Sequence, residues 1–101
     1  MEGVFLGTGT SQGVPVIGCT CSVCQSQDTK DNRLRTSFHL SSNGISIIID
    51  PGPDFRQQML RARVGKVDGV LITHEHNDHV AGMDDLRPYY FMQKAAIPVY
   101  A

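Results

Sequence analysis

Three imidazoles and a carboxylate fall within one short run, His74-Glu75-His76-Asn77-Asp78-His79, directly after an apolar, strand-like segment, Val70-Leu71-Ile72-Thr73. No other stretch restricts the fold as much, because three of the chain's four histidines must share one strand end. Neutral imidazole nitrogen and carboxylate oxygen are ligands that Zn²⁺, Mn²⁺ and Fe²⁺ accept. A rigid strand that ends in such donors can hold them at fixed geometry. Side chains two apart in extended backbone point the same way, so His74 and His76 can reach one ion. In a tight loop Asp78 and His79 diverge from that pair and approach a second ion. Two ions ~3.5–4 Å apart clamp the attacking and leaving oxygens of a phosphoryl displacement, and a water shared between them becomes hydroxide near neutral pH. Asp78 is also placed to orient that water. Glu75 and Asn77 face away or brace the loop. The plainer alternative is a solvated polar loop, which the density of ligand-type residues argues against.

The length of 101 residues allows one small domain, with a thin core and much exposed surface. An apolar content of 41% and a charged content of 19% fit a folded chain rather than a disordered one. Nine basic and ten acidic side chains leave a net charge of −1, so no general attraction to nucleic acid or anionic membrane is expected. Arg33, Arg35, Arg56, Arg61, Arg63 and Arg87 remain available to meet a phosphate locally. No apolar run approaches the ~20 residues of a membrane span. Met1-Glu2 leads straight into a strand-like segment without a basic leader, so the expected location is cytoplasmic.

Along the chain, Val4-Phe5-Leu6 reads as a short strand. The segment from Gly7 to Gly18 is rich in glycine and holds Pro15, which predicts a loop; it lacks the G-K-[ST] ending of a phosphate-binding P-loop. Gly7, Gly9 and Gly13 are read as tight turns beside the metal loop. Arg35 to Leu40 alternates as a strand, Asn43-Gly44 signals a hairpin, and Ile45 to Asp50 returns. Pro51-Gly52-Pro53 breaks that strand, and Asp54 is a good helix N-cap. Phe55, Met59, Leu60 and Val64 predict a helix closed by Gly65 at C′. Arg56, Arg61 and Arg63 read as its solvated face. Val67 to Thr73 is the strand that delivers the histidines. A short helix over Val80 to Leu86, an apolar cluster at Tyr89 to Met92 and a last strand from Ile97 to Ala101 complete the chain. Asp50, at a strand end, is placed to cap the turn that follows, which does not exclude a further role. Arg87 pairs with Asp84 or Asp85, or else meets a substrate phosphate.

The three cysteines form a C-x-C-x-x-C cluster, Cys19-Thr20-Cys21-Ser22-Val23-Cys24. Cytosolic thiols stay reduced, so a disulfide framework is not expected. Three thiolates this close suit a tetrahedral structural Zn²⁺ that needs one more ligand. His39 is a candidate from a strand-like segment, and the alternative is a set of ordinary reduced thiols.

The metal run resembles the ligand loop of the metallo-β-lactamase superfamily. Gly7-Thr8-Gly9-Thr10-Ser11-Gln12-Gly13-Val14-Pro15, the cysteine cluster, Arg33-Leu34-Arg35-Thr36-Ser37, Ile49-Asp50-Pro51-Gly52-Pro53-Asp54-Phe55-Arg56 and Gly82-Met83-Asp84-Asp85-Leu86-Arg87-Pro88 resemble one subgroup of it. That subgroup is the phosphoribosyl cyclic-phosphate phosphodiesterase (PhnP-like) type, related to the tRNA 3′-processing endonucleases. The resemblance implies an α/β fold of layered α+β type: residues 1–101 as a single domain, the N-terminal half of an αββα sandwich, with a mixed sheet and helices on one face. It implies that His74, His76, Asp78 and His79 ligate a dinuclear centre of Zn or Mn, with Asp50 behind a ligand histidine. It also implies that Cys19, Cys21 and Cys24 hold a separate structural zinc whose fourth ligand, a His, lies in the second half. That half, with its further His, bridging Asp and final His, is not in the 101 residues.

These readings point to a metal-dependent hydrolase, a phosphodiesterase that uses an activated hydroxide on a cyclic or diester phosphate of a small phosphorylated substrate. The fold alone also admits thioester, lactone or tRNA 3′-end hydrolysis; the last would need a basic surface or an RNA-gripping arm, and neither is visible. A third reading is a metal-binding half-domain without turnover. Because one sheet face of a sandwich is built to pack on another, the chain is expected to form a homodimer or to pair with a complementary half.

Overall fold

Asn43 and Gly44 sit at the tip of a two-residue hairpin, with φ of 51° and 79° respectively. A type I′ turn requires positive φ at both positions, and Asn-Gly meets that need with little strain. The turn fixes the register of β2 (Ser37–Ser42) against β3 (Ile45–Ile49), with Ser42 opposite Ile45 and Phe38 opposite Ile49. The computed structural model describes residues 1–101. Strand β1 (Glu2–Gly7) pairs antiparallel with β2, while β4 (Gly69–Leu71) and β5 (Val99–Tyr100) add in parallel beyond β3. The result is one mixed sheet of five strands in the order β1-β2-β3-β4-β5.

Helices α1 (Phe55–Ala62), α2 (Asn77–Val80) and α3 (Arg87–Gln93) fill the crossovers between the parallel strands. A 3₁₀ turn at Met83–Leu86 joins the last two, and another lies at Thr29–Asp31. The helices cover one face of the sheet. There Leu6, Ile48 and Val70 meet Phe55, Met59, Val67, Leu86 and Tyr89 in the core. Tyr89 packs edge-on against Phe55, with ring centroids 6.4 Å apart, and its hydroxyl donates to the Val64 carbonyl at 2.7 Å.

The opposite face carries Phe5, Phe38, Ile49, Leu71 and Tyr100, which are register partners across the five strands. Alternation along each strand puts these residues away from the helices. Phe5 stays 74% exposed and Tyr100 59% exposed, so the two ends of this apolar row are open, while Phe38 and Ile49 between them are half-buried. No helix is long and apolar enough to cross a membrane.

Several predicted boundaries move, each for a local reason. Helix α1 ends at Ala62, and the left-handed residue that closes it is Arg63 (φ 55°), not Gly65. The chain must turn back two residues early so that Val64 and Val67 can reach the core. Asp54 precedes the helix but makes no capping bond. Its carboxylate instead accepts the Arg35 backbone N–H at 2.8 Å and pairs with the Arg35 guanidinium at 2.9 Å. Strand β4 is shorter than the apolar run around it. Val67 N–H donates to Gln93 Oε1 at 2.8 Å and the Val67 carbonyl accepts from Gln93 Nε2 at 2.9 Å, in place of strand pairing. The helix expected over Val80 to Leu86 is split in two. Gly82 lies so close under the 51–52 turn that a Cβ there would collide with the Gly52 carbonyl oxygen and with Phe55 Cβ. Tyr89 to Met92 belong to α3, where Tyr89 alone is buried.

Candidate metal centre

The ladder of β4 continues past its last residue. Ile72 N–H donates to the Tyr100 carbonyl at 2.7 Å, and the Leu71 carbonyl accepts from Asp50 N–H at 2.9 Å. The backbone is therefore held until Thr73, where the donor run begins. His74, Glu75 and His76 follow in irregular chain, and α2 starts at Asn77 with His76 as its N-cap residue. Asp78 and His79 thus sit in a single helical turn, where a simple tight loop was expected. The His79 N–H donates to the His76 carbonyl at 2.9 Å and closes that turn.

Asp50 organises the site from behind. It is 3% exposed and adopts φ of 60° at the end of β3. One carboxylate oxygen accepts the Thr73 N–H at 2.8 Å. The other accepts the Thr73 hydroxyl at 2.6 Å and lies 2.7 Å from His79 Nδ1. Of the two roles read from the sequence, the geometry displays the contact with a loop histidine. Burial alone would raise the Asp50 pKa, but the Thr73 hydroxyl, the Thr73 N–H and His79 outweigh it and hold the carboxyl below its usual range.

With Nδ1 turned to Asp50, His79 presents Nε2 outward, 3.1 Å from Asp78 Oδ2. A neutral ring bonded this way has a lone pair on Nε2. Two acceptors would then face each other, an arrangement that a shared cation relieves, whether a proton on the ring or a bound metal. Imidazole nitrogen and carboxylate oxygen side by side are donors that a divalent metal accepts. The His74 ring lies over His79 with centroids 3.9 Å apart, and His76 stands edge-on to His74 at 4.6 Å. Donor atoms of no three residues of this run come within 4.8 Å of one another, a closeness that the cysteines do reach. The His76 ring is exposed and makes no hydrogen bond, although the His76 carbonyl is held by the His79 N–H.

Sequence reading overlooked Thr73. Its only signal was its place, a hydroxyl at the end of an apolar run and next to His74. Arg87, weighed above for a substrate phosphate, pairs with Asp84 at 3.0 Å and also donates to the Asp84 carbonyl at 3.1 Å. Both side chains are largely exposed, so this pair adds little stability.

Cys19, Cys21 and Cys24 are free thiols whose sulfurs lie within 4.8 Å of one another. Backbone N–H groups point at two of them, Val16 to Cys24 Sγ and Cys24 to Cys21 Sγ, both at 3.4 Å. The Cys24 N–H, helped by the two neighbouring thiols, lowers the Cys21 pKa to about 7. Cys24 feels a favourable bond from Val16 N–H, but the Cys19 thiol, desolvation and the Cys21 thiol together outweigh it and the pKa rises. Three close sulfurs with one easily ionised fit a thiophilic cation such as Zn²⁺. His39, considered as a fourth ligand, lies in β2, with Nε2 2.7 Å from Ser46 Oγ, and is outside the thiol group.

Comparison with known proteins identifies the family and the fold. Residues 46–101 match a family model described as "Beta-lactamase superfamily domain". A Porphyromonas gingivalis protein named "Octanoyltransferase" is 50% identical over 98 residues, covering 96% of this chain and 20% of that protein. A crystal structure described as a new diphosphatase from the PhnP family superposes with a TM-score of 0.92 and 46% identity, over 98% of this chain and 40% of that one. Zn²⁺-bound PqqB from Methylobacterium extorquens superposes with a TM-score of 0.82 and 29% identity, over all of this chain and 37% of that one. The chain thus spans well under half the length of each of these relatives. The match over residues 46–101 contains β3 from Ser46 onward, the Asp50 turn and the whole donor run, and on it the chain belongs to the beta-lactamase superfamily domain family.

Proposed function

We propose that the chain supplies the His74, His76, Asp78 and His79 ligands of a dinuclear hydrolase that cleaves a phosphorus–oxygen bond in a small cyclic or diester phosphate. The observation that carries the proposal is the pairing of His79 Nε2 with Asp78 Oδ2 at 3.1 Å, while Asp50 grips the far side of the same ring. Bound Zn²⁺ or Mn²⁺ would contribute Lewis acidity and a lowered pKa for water. The chain's own residues do the rest. Asp50 and Thr73 orient the rings, and Asp78 offers a carboxylate that can also accept a proton from water. The 46% identity to a PhnP-family diphosphatase supports phosphoryl chemistry, and the zinc in PqqB supports zinc as one metal this fold accepts. Cys19, Cys21 and Cys24 are assigned to a structural zinc.

Acyl chemistry is the competing reading, favoured by the name of the Porphyromonas relative. Four-fifths of that protein lies outside the match, so the name need not describe this segment. A further reading concerns the 101 residues alone. No three donors of the loop converge within 4.8 Å, which favours metal binding with little turnover until further ligands join them. Hydrolysis of bis(p-nitrophenyl) phosphate and of a thioester by the metal-loaded protein separates these readings. Phosphodiester cleavage lost in His79→Ala is expected. Thioester cleavage without phosphodiester cleavage would overturn the assignment.

A further inference from the structure

Thr73 touches two groups that matter to the donor run. Its hydroxyl oxygen lies 2.6 Å from Asp50 Oδ2 and 3.0 Å from His74 Nδ1. A hydroxyl has one proton to donate and two lone pairs to accept with. The Asp50 carboxylate, which also faces the Thr73 N–H and His79 Nδ1, is an acceptor only at neutral pH. The shorter contact is therefore O–H donating to carboxylate, the stronger charge-assisted bond. That uses the only hydroxyl proton. At the longer contact the oxygen must accept, so His74 must carry its proton on Nδ1. In the neutral ring, the form that binds a metal, Nε2 is then left with a free lone pair. His79 reaches the same state by donating Nδ1–H directly to Asp50.

We propose that Thr73 is a positioning residue that extends the hold of Asp50 to His74, so that one buried carboxylate sets the ring tautomer of two metal-site histidines at once. The reach is direct for His79 and passes through one hydroxyl for His74. Both rings then offer Nε2 to a cation without a tautomer change on binding. The inference rests on the metal-site reading above for its purpose, but the tautomers themselves are testable without metal.

The test compares wild type, Thr73→Val, which keeps the shape and removes the hydroxyl, and Thr73→Ser, which keeps the hydroxyl. Long-range ¹H–¹⁵N correlation of the metal-free chain reports which nitrogen of each ring is protonated. Manganese alone, followed by loss of the free Mn²⁺ EPR signal, reports affinity at nitrogen and oxygen donors, since thiolates are poor ligands for it. In Thr73→Val, His74 is expected to become a mixture of tautomers while His79 keeps Nδ1–H. Manganese affinity should fall about tenfold, the lower end of what loss of an outer hydrogen bond costs a metal site. Thr73→Ser should restore both readouts. A general loosening of the fold would move His79 as well as His74, and would overturn the assignment. So would a Thr73→Val chain in which His74 stays on Nδ1–H with unchanged affinity. If wild type binds no manganese, the metal-site reading fails, while the tautomers still decide the role of Thr73.

Discussion

At Asp50 a left-handed backbone, with φ of 60°, turns a carboxylate inward beneath the donor run, where it accepts three hydrogen bonds. Asparagine in its place can accept at one atom only and must aim an amide donor at another donor. Asp50→Asn is therefore expected to lower metal affinity by about 10–100-fold, read by competition with a chelator. Its effect on folding should depend on pH. The folded-state pKa is depressed, because the Thr73 and His79 bonds outweigh burial. The stabilisation is then fully present above the unfolded carboxylate value of ~3.9 and is lost as pH falls below it. In urea unfolding of the metal-free chain, the gap between wild type and Asp50→Asn should be constant near neutrality and close below about pH 4. A gap that widens in acid would contradict this. At Cys21, iodoacetamide labelling of the metal-free chain should rise with a midpoint of about 7, and zinc should suppress it. Labelling that follows an ordinary thiol near ~8.5 would show that the Cys24 N–H does not act on that sulfur.

The elements show why some boundaries were legible and others were not. The hairpin at Asn43-Gly44 depends on two adjacent residues, and so does the strand break at Pro51-Gly52-Pro53; local chemistry decided both. The end of α1 depends on where Val64 and Val67 can be buried, and nothing local at Gly65 reports that. As a result Arg63 carries a positive φ that costs a non-glycine residue roughly 1–2 kcal/mol. Arg63→Gly should recover part of this and raise stability by about 0.5–1 kcal/mol in urea titration. A loss of stability would mean that the arginine stem matters more than its backbone. The His and Asp run was visible as chemistry, but its helical turn over Asn77–Val80 was not, because four residues are too few to show a period. Thr73 and the Arg35–Asp54 pair were hidden for another reason. Both are contacts across 19 or more positions of sequence, and spacing alone cannot reveal those.

Across the whole molecule, the two faces of the sheet behave differently. Helices close one face over Leu6, Ile48 and Val70, while the row from Phe5 to Tyr100 is left open at its two ends. Phe5 and Phe38 pack edge-on at 5.0 Å, and the Phe38 ring lies over Gly3, but Phe5 remains largely exposed. An apolar sheet face of this kind favours association. The chain is expected to dimerise as concentration rises, and Phe5→Glu should weaken that association at least tenfold in sedimentation equilibrium. A wild-type chain that stays monomeric throughout would remove this expectation. The donor run is built at the end of that sheet, so the account of the molecule stands or falls on what the run binds. Zinc content after equilibration with excess metal and exhaustive dialysis should be compared between wild type and His74→Ala/His79→Ala. The account predicts at least one zinc fewer per chain in the variant, with the thiol-bound zinc retained in both. Equal zinc in the two proteins, all of it bound to sulfur, would contradict it.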